Sequence, residues 1–107
     1  MSILGFLKQP DINAGVQDFL KTNQAVLLDV RTKEEYEAGY IENSVNIPLQ
    51  RIEDVLERIA DKNTPLFVYC QSGARSTSAS SVLKKMGYSN VTNIGGISSY
   101  RGKVVKR

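Results

Sequence analysis

A chain of 107 residues is long enough for one domain with its own hydrophobic core, and residues 1–107 read as a single unit. Apolar residues at 41% and charged residues at 23% are ordinary globular usage, which excludes a disordered or low-complexity chain. One cysteine excludes an internal disulfide framework, and the absence of histidine excludes a Cys-His dyad, a Ser-His-Asp triad and any His-ligated metal site. No metal and no cofactor is expected.

The net charge of +3 conceals two halves of opposite sign. Residues 1–61 carry six Lys/Arg against eleven Asp/Glu, whereas residues 62–107 carry eight Lys/Arg and no carboxylate. The basic half reads as a solvated surface or, more sharply, as a field that draws small anions. Its charges are scattered and accompany no nucleic-acid-binding motif, so nucleic acid is not an expected partner. No apolar run approaches bilayer-spanning length, and Met1–Leu7 lacks the basic start and long apolar stretch of a signal peptide. A thiol without a partner suits a reducing compartment, which points to the cytoplasm.

Pro10-Asp11 opens a helical pattern whose apolar face is Ile12, Val16, Phe19 and Leu20. Ala25–Val30 is a compact apolar run, read as a buried strand. Thr32 with Glu35 three residues on forms a capping box, and Gly39 stands to end that short helix. Ser44–Ile47 reads as a short strand closed by Pro48. Ile52, Val55, Leu56 and Ile59 fall at helical spacing and predict an amphipathic helix. Pro65 introduces a second buried strand, Leu66-Phe67-Val68-Tyr69. Ala79, Val82, Leu83 and Met86 repeat the helical spacing before Gly87. Val91–Ile94 reads as the last strand, followed by Gly95-Gly96, and the basic end Lys103–Arg107 reads as solvated. Alternating helix and strand predicts an α/β fold with a mostly parallel sheet and helices on both faces. Such sheets bind ligands beyond the carboxyl ends of their strands, which directs attention to the loops after Val30, Tyr69 and Ile94.

The loop after Tyr69 is Cys70-Gln71-Ser72-Gly73-Ala74-Arg75-Ser76, between an apolar strand and an amphipathic helix. Gly73 permits a turn in which successive N–H groups converge as an anion-binding nest. The helix that follows adds its free N–H groups and the positive end of its dipole, and Arg75 adds a permanent cation. A lone cysteine is ordinarily an inert core residue. At the head of this cradle its thiolate is the favoured form, so Cys70 has the makings of a nucleophile without a histidine. Asp29 and Arg31 read as an ion pair that pins a strand end, not as an acid and base.

At this loop the sequence resembles the rhodanese-like sulfurtransferases, in particular the single-domain members. Leu28-Asp29-Val30-Arg31-Thr32 with Glu34-Glu35-Tyr36, Gly39-Tyr40-Ile41 leading to Asn46-Ile47-Pro48, Val68-Tyr69-Cys70 with Gly73 and Arg75-Ser76, and Gly87-Tyr88 with Gly95-Gly96-Ile97 follow the family's signatures in order. Tyr40 stands where a histidine is common, Tyr100 where a tryptophan is frequent, and Gln71 where some members carry a cation. The resemblance implies a small, mostly parallel sheet of about five strands with helices on both faces. It implies sulfane-sulfur transfer through a Cys70 persulfide held by the N–H groups from Gln71 to Ser76, with Asp29 and Arg31 as structural support. The donor would be a small anion such as thiosulfate, or a persulfide. The acceptor would be cyanide or a thiol, thioredoxin-like and other sulfur-acceptor proteins included. Two alternatives stand beside it. One is a cysteine phosphatase or arsenate reductase of the same fold, whose loops carry one residue more than the four between Cys70 and Arg75 here. The other is a rhodanese-like regulatory module without catalysis.

Overall fold

The computed structural model describes residues 10–107, and Met1–Leu7 lies outside the described residues. The Asp11 carboxylate accepts the N–H groups of Asn13 and Ala14, which opens α1 (Ile12–Lys21). After β1 (Val26–Asp29) comes α2 (Lys33–Ala38). Its capping box is complete: Thr32 Oγ1 accepts the Glu35 N–H at 3.2 Å, and the Glu35 carboxylate accepts the Thr32 N–H at 2.9 Å. Then follow β2 (Tyr40–Ile41), β3 (Ser44–Asn46), a 3-10 turn over Leu49–Asp54, α3 (Val55–Arg58) and β4 (Leu66–Cys70). The chain ends with α4 (Ala74–Lys85), β5 (Val91–Gly96), a short 3-10 turn and β6 (Val104–Val105).

The sheet runs β3-β1-β4-β5, all parallel. Every residue of β4 is buried, because a central parallel strand has both faces covered. Neighbouring residues therefore feed different layers. Leu28, Val68 and Cys70 pack with Ala79 and Leu83 of α4, while Leu27, Phe67 and Tyr69 pack with Ile12 and Val16 of α1.

The α/β fold with a mostly parallel sheet and helices on both faces is borne out, with differences in detail. Among the described residues the parallel sheet has four strands rather than about five. Two further strands, β2 and β6, form a separate antiparallel pair that aligns Tyr40 with Val105 and Ile41 with Val104. The basic end is solvated as expected, with Lys103, Lys106 and Arg107 exposed, while its two β-branched residues provide a strand between the charges. Finally, Leu20, Leu56 and Val82 are exposed, Leu20 by 60%. The helices touch the sheet along a narrower stripe than the sequence period suggests, and the segment before Val55 is a 3-10 turn rather than a turn of α-helix.

Candidate active site

β4 carries Cys70 to its carboxyl end, where the chain turns through Gln71-Ser72-Gly73 into α4. Gly73 is the N-cap of α4 at φ +107°, a left-handed conformation that other residues adopt at a cost. That geometry points the Gly73 N–H back at the Cys70 Sγ, 3.1 Å away, and the first turn of α4 adds the Ser76 N–H at 3.3 Å. The loop also lies directly on β5. A Cβ on Gly96 would meet the Gln71 carbonyl oxygen and lie 2.7 Å from the Ser72 Cα, so only glycine allows this approach.

Burial works against ionisation of the Cys70 thiol. The Ser76 hydroxyl and the N–H groups of Ser76, Gly73 and Ser72 outweigh it, and the thiol ionises below its ordinary range. The Ser76 Oγ lies 3.6 Å from the Sγ, close enough to receive the thiol proton.

Arg75, the permanent cation of the loop, has a carboxylate partner that its local sequence does not show. Its guanidinium grips Glu35 of α2 in a bidentate pair, Nη1 to Oε1 at 2.7 Å and Nη2 to Oε2 at 2.9 Å. The same pair, chiefly the guanidinium bond, holds the Glu35 carboxyl at about 2 rather than 4.5. Glu35 thus serves α2 as a cap and the cysteine loop as a clamp. The capping pattern reveals only the first role, because the second needs a partner forty residues away.

Asp29 and Arg31 come together fully buried at the end of β1, with Arg31 Nη2 2.7 Å from Asp29 Oδ2. Arg31 Nη2 also donates to the Gly39 carbonyl at 2.6 Å and Nη1 to the Gln71 Oε1 at 3.3 Å. The pair ties three loops together, one of them the cysteine loop. Gln71 therefore turns its side chain to Arg31, not to the sulfur. The backbone N–H groups that favour the Cys70 thiolate are those of Ser72, Gly73 and Ser76, the last two lying 3.1 and 3.3 Å from the Sγ. Ser72 and Ala74 are exposed at the mouth, while Ser76 is buried. A cleft of about 350 Å³ opens beside the loop, lined by Arg31, Glu35, Gly39, Gln71, Ile97 and Val104. Asn93 of β5 was not singled out by its sequence context, yet its Oδ1 receives the Ser76 hydroxyl at 2.8 Å.

An apolar strand ending in a cysteine, a short loop of inward N–H groups and a helix start define a class of cysteine-based anion cradles on a parallel α/β sheet. The family model of the rhodanese-like domain matches residues 13–103, and the chain belongs to that family. Thiosulfate sulfurtransferase PspE of Escherichia coli is 37% identical over 71 residues, covering 65% of this chain and 68% of that protein. The tRNA uridine(34) hydroxylase of Erwinia tasmaniensis is 35% identical over 101 residues, covering 89% of this chain, which spans only 28% of that longer protein. A solved structure described as a rhodanese with anions from E. coli superposes with a TM-score of 0.72 at 34% identity, over 78% of this chain and 99% of that one. Among the described residues no helix is long and apolar enough to cross a membrane.

Proposed function

We propose that the protein is a sulfurtransferase that moves a sulfane sulfur from thiosulfate or a persulfide to a thiol or cyanide through a persulfide on Cys70. The observation that carries this reading is the Cys70 Sγ at the strand end, with the N–H groups of Gly73 and Ser76 3.1 and 3.3 Å away.

In the first step the Cys70 thiolate attacks the outer sulfur of thiosulfate. The new bond joins Sγ to that sulfur, the donor's own S–S bond breaks, and sulfite leaves with the electron pair. In the second step a thiolate or cyanide attacks the terminal sulfur, and Cys70 departs as thiolate with its electron pair. Both leaving groups are weakly basic, so neither step needs a strong general acid, in keeping with a chain that contains no histidine. The terminal persulfide sulfur bears the negative charge, and preorganised N–H donors at the loop offset it.

The cleft beside Gln71 offers a route for a small anionic donor, and the neighbouring rhodanese described with anions supports such a ligand. PspE, named as a thiosulfate sulfurtransferase, supports the donor class. With one cysteine the chain cannot resolve its own persulfide, so an external acceptor such as a thioredoxin-like protein takes the sulfur. That dependence on a reduced thiol fits a cytoplasmic setting.

Intact-mass spectrometry tests the reading. Incubation with thiosulfate or a low-molecular-weight persulfide adds one sulfur atom, which cyanide or dithiothreitol removes. The Cys70→Ser variant shows neither adduct nor turnover while staying folded. Sulfur transfer by that variant would overturn the assignment.

A further inference from the structure

We propose that Asn93 is a positioning residue that governs the ionisation of Cys70 by holding the Ser76 hydroxyl proton away from the sulfur. The argument begins with the orientation of the Asn93 amide. Its Oδ1 accepts the backbone N–H of Gly95 at 3.1 Å, and its Nδ2 donates to Thr77 Oγ1 at 3.0 Å. A backbone N–H only donates, so the atom facing it, and facing Ser76, is the carbonyl oxygen.

The Ser76 hydroxyl has one proton and sits among three acceptor oxygens. Asn93 Oδ1 is nearest at 2.8 Å, followed by the Gly73 carbonyl at 3.0 Å and the Gly95 carbonyl at 3.4 Å. The Gly73 carbonyl already receives two donors from Thr77, its N–H at 3.1 Å and its Oγ1 at 2.8 Å, which fill its two lone pairs. Asn93 is therefore the principal acceptor. With its proton there, Ser76 presents a lone pair to Cys70 and receives the S–H at 3.6 Å.

This arrangement limits what the Ser76 hydroxyl can give the thiolate, although the net balance at Cys70 still favours ionisation. When Cys70 ionises, the sulfur gains a hydroxyl donor beside the backbone N–H groups only if the Ser76 hydroxyl leaves Asn93 and swings toward it. Asn93 and the thiolate thus compete for one proton. Asn93 keeps the sulfur from being over-stabilised as an anion, which preserves its nucleophilicity, since a thiolate of lower pKa attacks more weakly.

The charged groups around Cys70 do not supply this control. Arg75 on α4 is gripped by Glu35 of α2, and Arg31 beyond β1 by Asp29. Arg51 and Asp54 of the 3-10 turn pair with each other at the surface, and β5 contributes no charge.

The proposal rests on Cys70 being the reacting thiol, but its test uses no sulfur donor, so the two readings fail separately. The pH dependence of Cys70 alkylation by iodoacetamide is measured for the wild type, Asn93→Ala, Asn93→Asp, Ser76→Ala and the Ser76→Ala/Asn93→Ala pair, with circular dichroism to confirm folding. Asn93→Ala releases the hydroxyl and lowers the midpoint by about half a pH unit, the scale of one modest hydrogen bond. Asn93→Asp keeps the shape, holds the proton more firmly and raises the midpoint. In the Ser76→Ala background the Asn93→Ala change has no further effect. An Asn93→Ala midpoint that is unchanged or raised overturns the proposal, as does a shift of the same size without Ser76. If Asn93→Ala does not fold, Asn93→Asp with and without Ser76→Ala decides: the added charge acts in both, so a rise of the same size in both overturns the proposal.

Discussion

Replacing Glu35 by Gln separates the two roles of the clamp. Gln retains the shape and an oxygen to accept the Thr32 N–H, so the cap of α2 survives in good part. What disappears is the bidentate pair to Arg75 at 2.7 and 2.9 Å. A carboxyl held at about 2 instead of 4.5 sets a ceiling of about 3 kcal/mol on its contribution. Both side chains are about one third exposed, so solvent screening reduces the expected loss to about 1 kcal/mol. For a domain of this size that is a fall in Tm of about 4–8 °C. The folded pKa is depressed, so the contribution is complete above the unfolded value near 4.5 and fades as pH falls toward about 2. The Glu35→Gln variant therefore differs from wild type at neutral pH and converges on it in acid. Its freed guanidinium lies at the mouth of the cysteine loop. We expect thiosulfate kcat/KM to rise by up to about fivefold relative to a neutral persulfide donor, and the gain to shrink in high salt. Thermal melts from neutral to acid pH and initial rates with the two donors check both parts. A variant with wild-type melting at neutral pH, or an unchanged donor preference, would refute the view that Glu35 occupies Arg75.

Other outcomes follow from the same geometry. Asp29→Asn leaves the Arg31 charge buried and unpaired, so denaturant unfolding should reveal a loss of about 3–5 kcal/mol. Gly96→Ala drives a Cβ into the Ser72 backbone. Sulfur transfer should fall far more than Tm, and an active Gly96→Ala variant would mean that the loop tolerates displacement. The wild type should not hydrolyse an aryl phosphate, because its four-residue loop converges on one sulfur atom. Robust release of the phenol would favour phosphatase chemistry instead.

What the sequence disclosed depended on the range of each interaction. The parallel core was legible because β1 and β4 are short apolar runs between turn signals, and the Thr32–Glu35 box was legible because both partners lie within one turn. Cys70, Gly73 and the start of α4 were legible as a local unit. The Arg75–Glu35 clamp was not, since nothing near either residue in the chain marks the other. Asn93 escaped for the same reason: its role comes from the register that sets β5 beside α4. The pairing of β6 with β2 was hidden because two valines among basic residues read as a solvated end until the chain returns past Gly39. Leu20, Leu56 and Val82 fit the helical period, but short helices on a twisted sheet bury a narrower stripe.

The central claim is that Cys70 carries the outer sulfur of the donor between two displacements. Thiosulfate labelled only in its outer sulfur tests it most directly. The account predicts label on the peptide containing Cys70, one unlabelled sulfite released for each label bound, and labelled thiocyanate when cyanide is then added. Labelled sulfite, or thiocyanate formed while the Cys70 peptide never carries label, would contradict it.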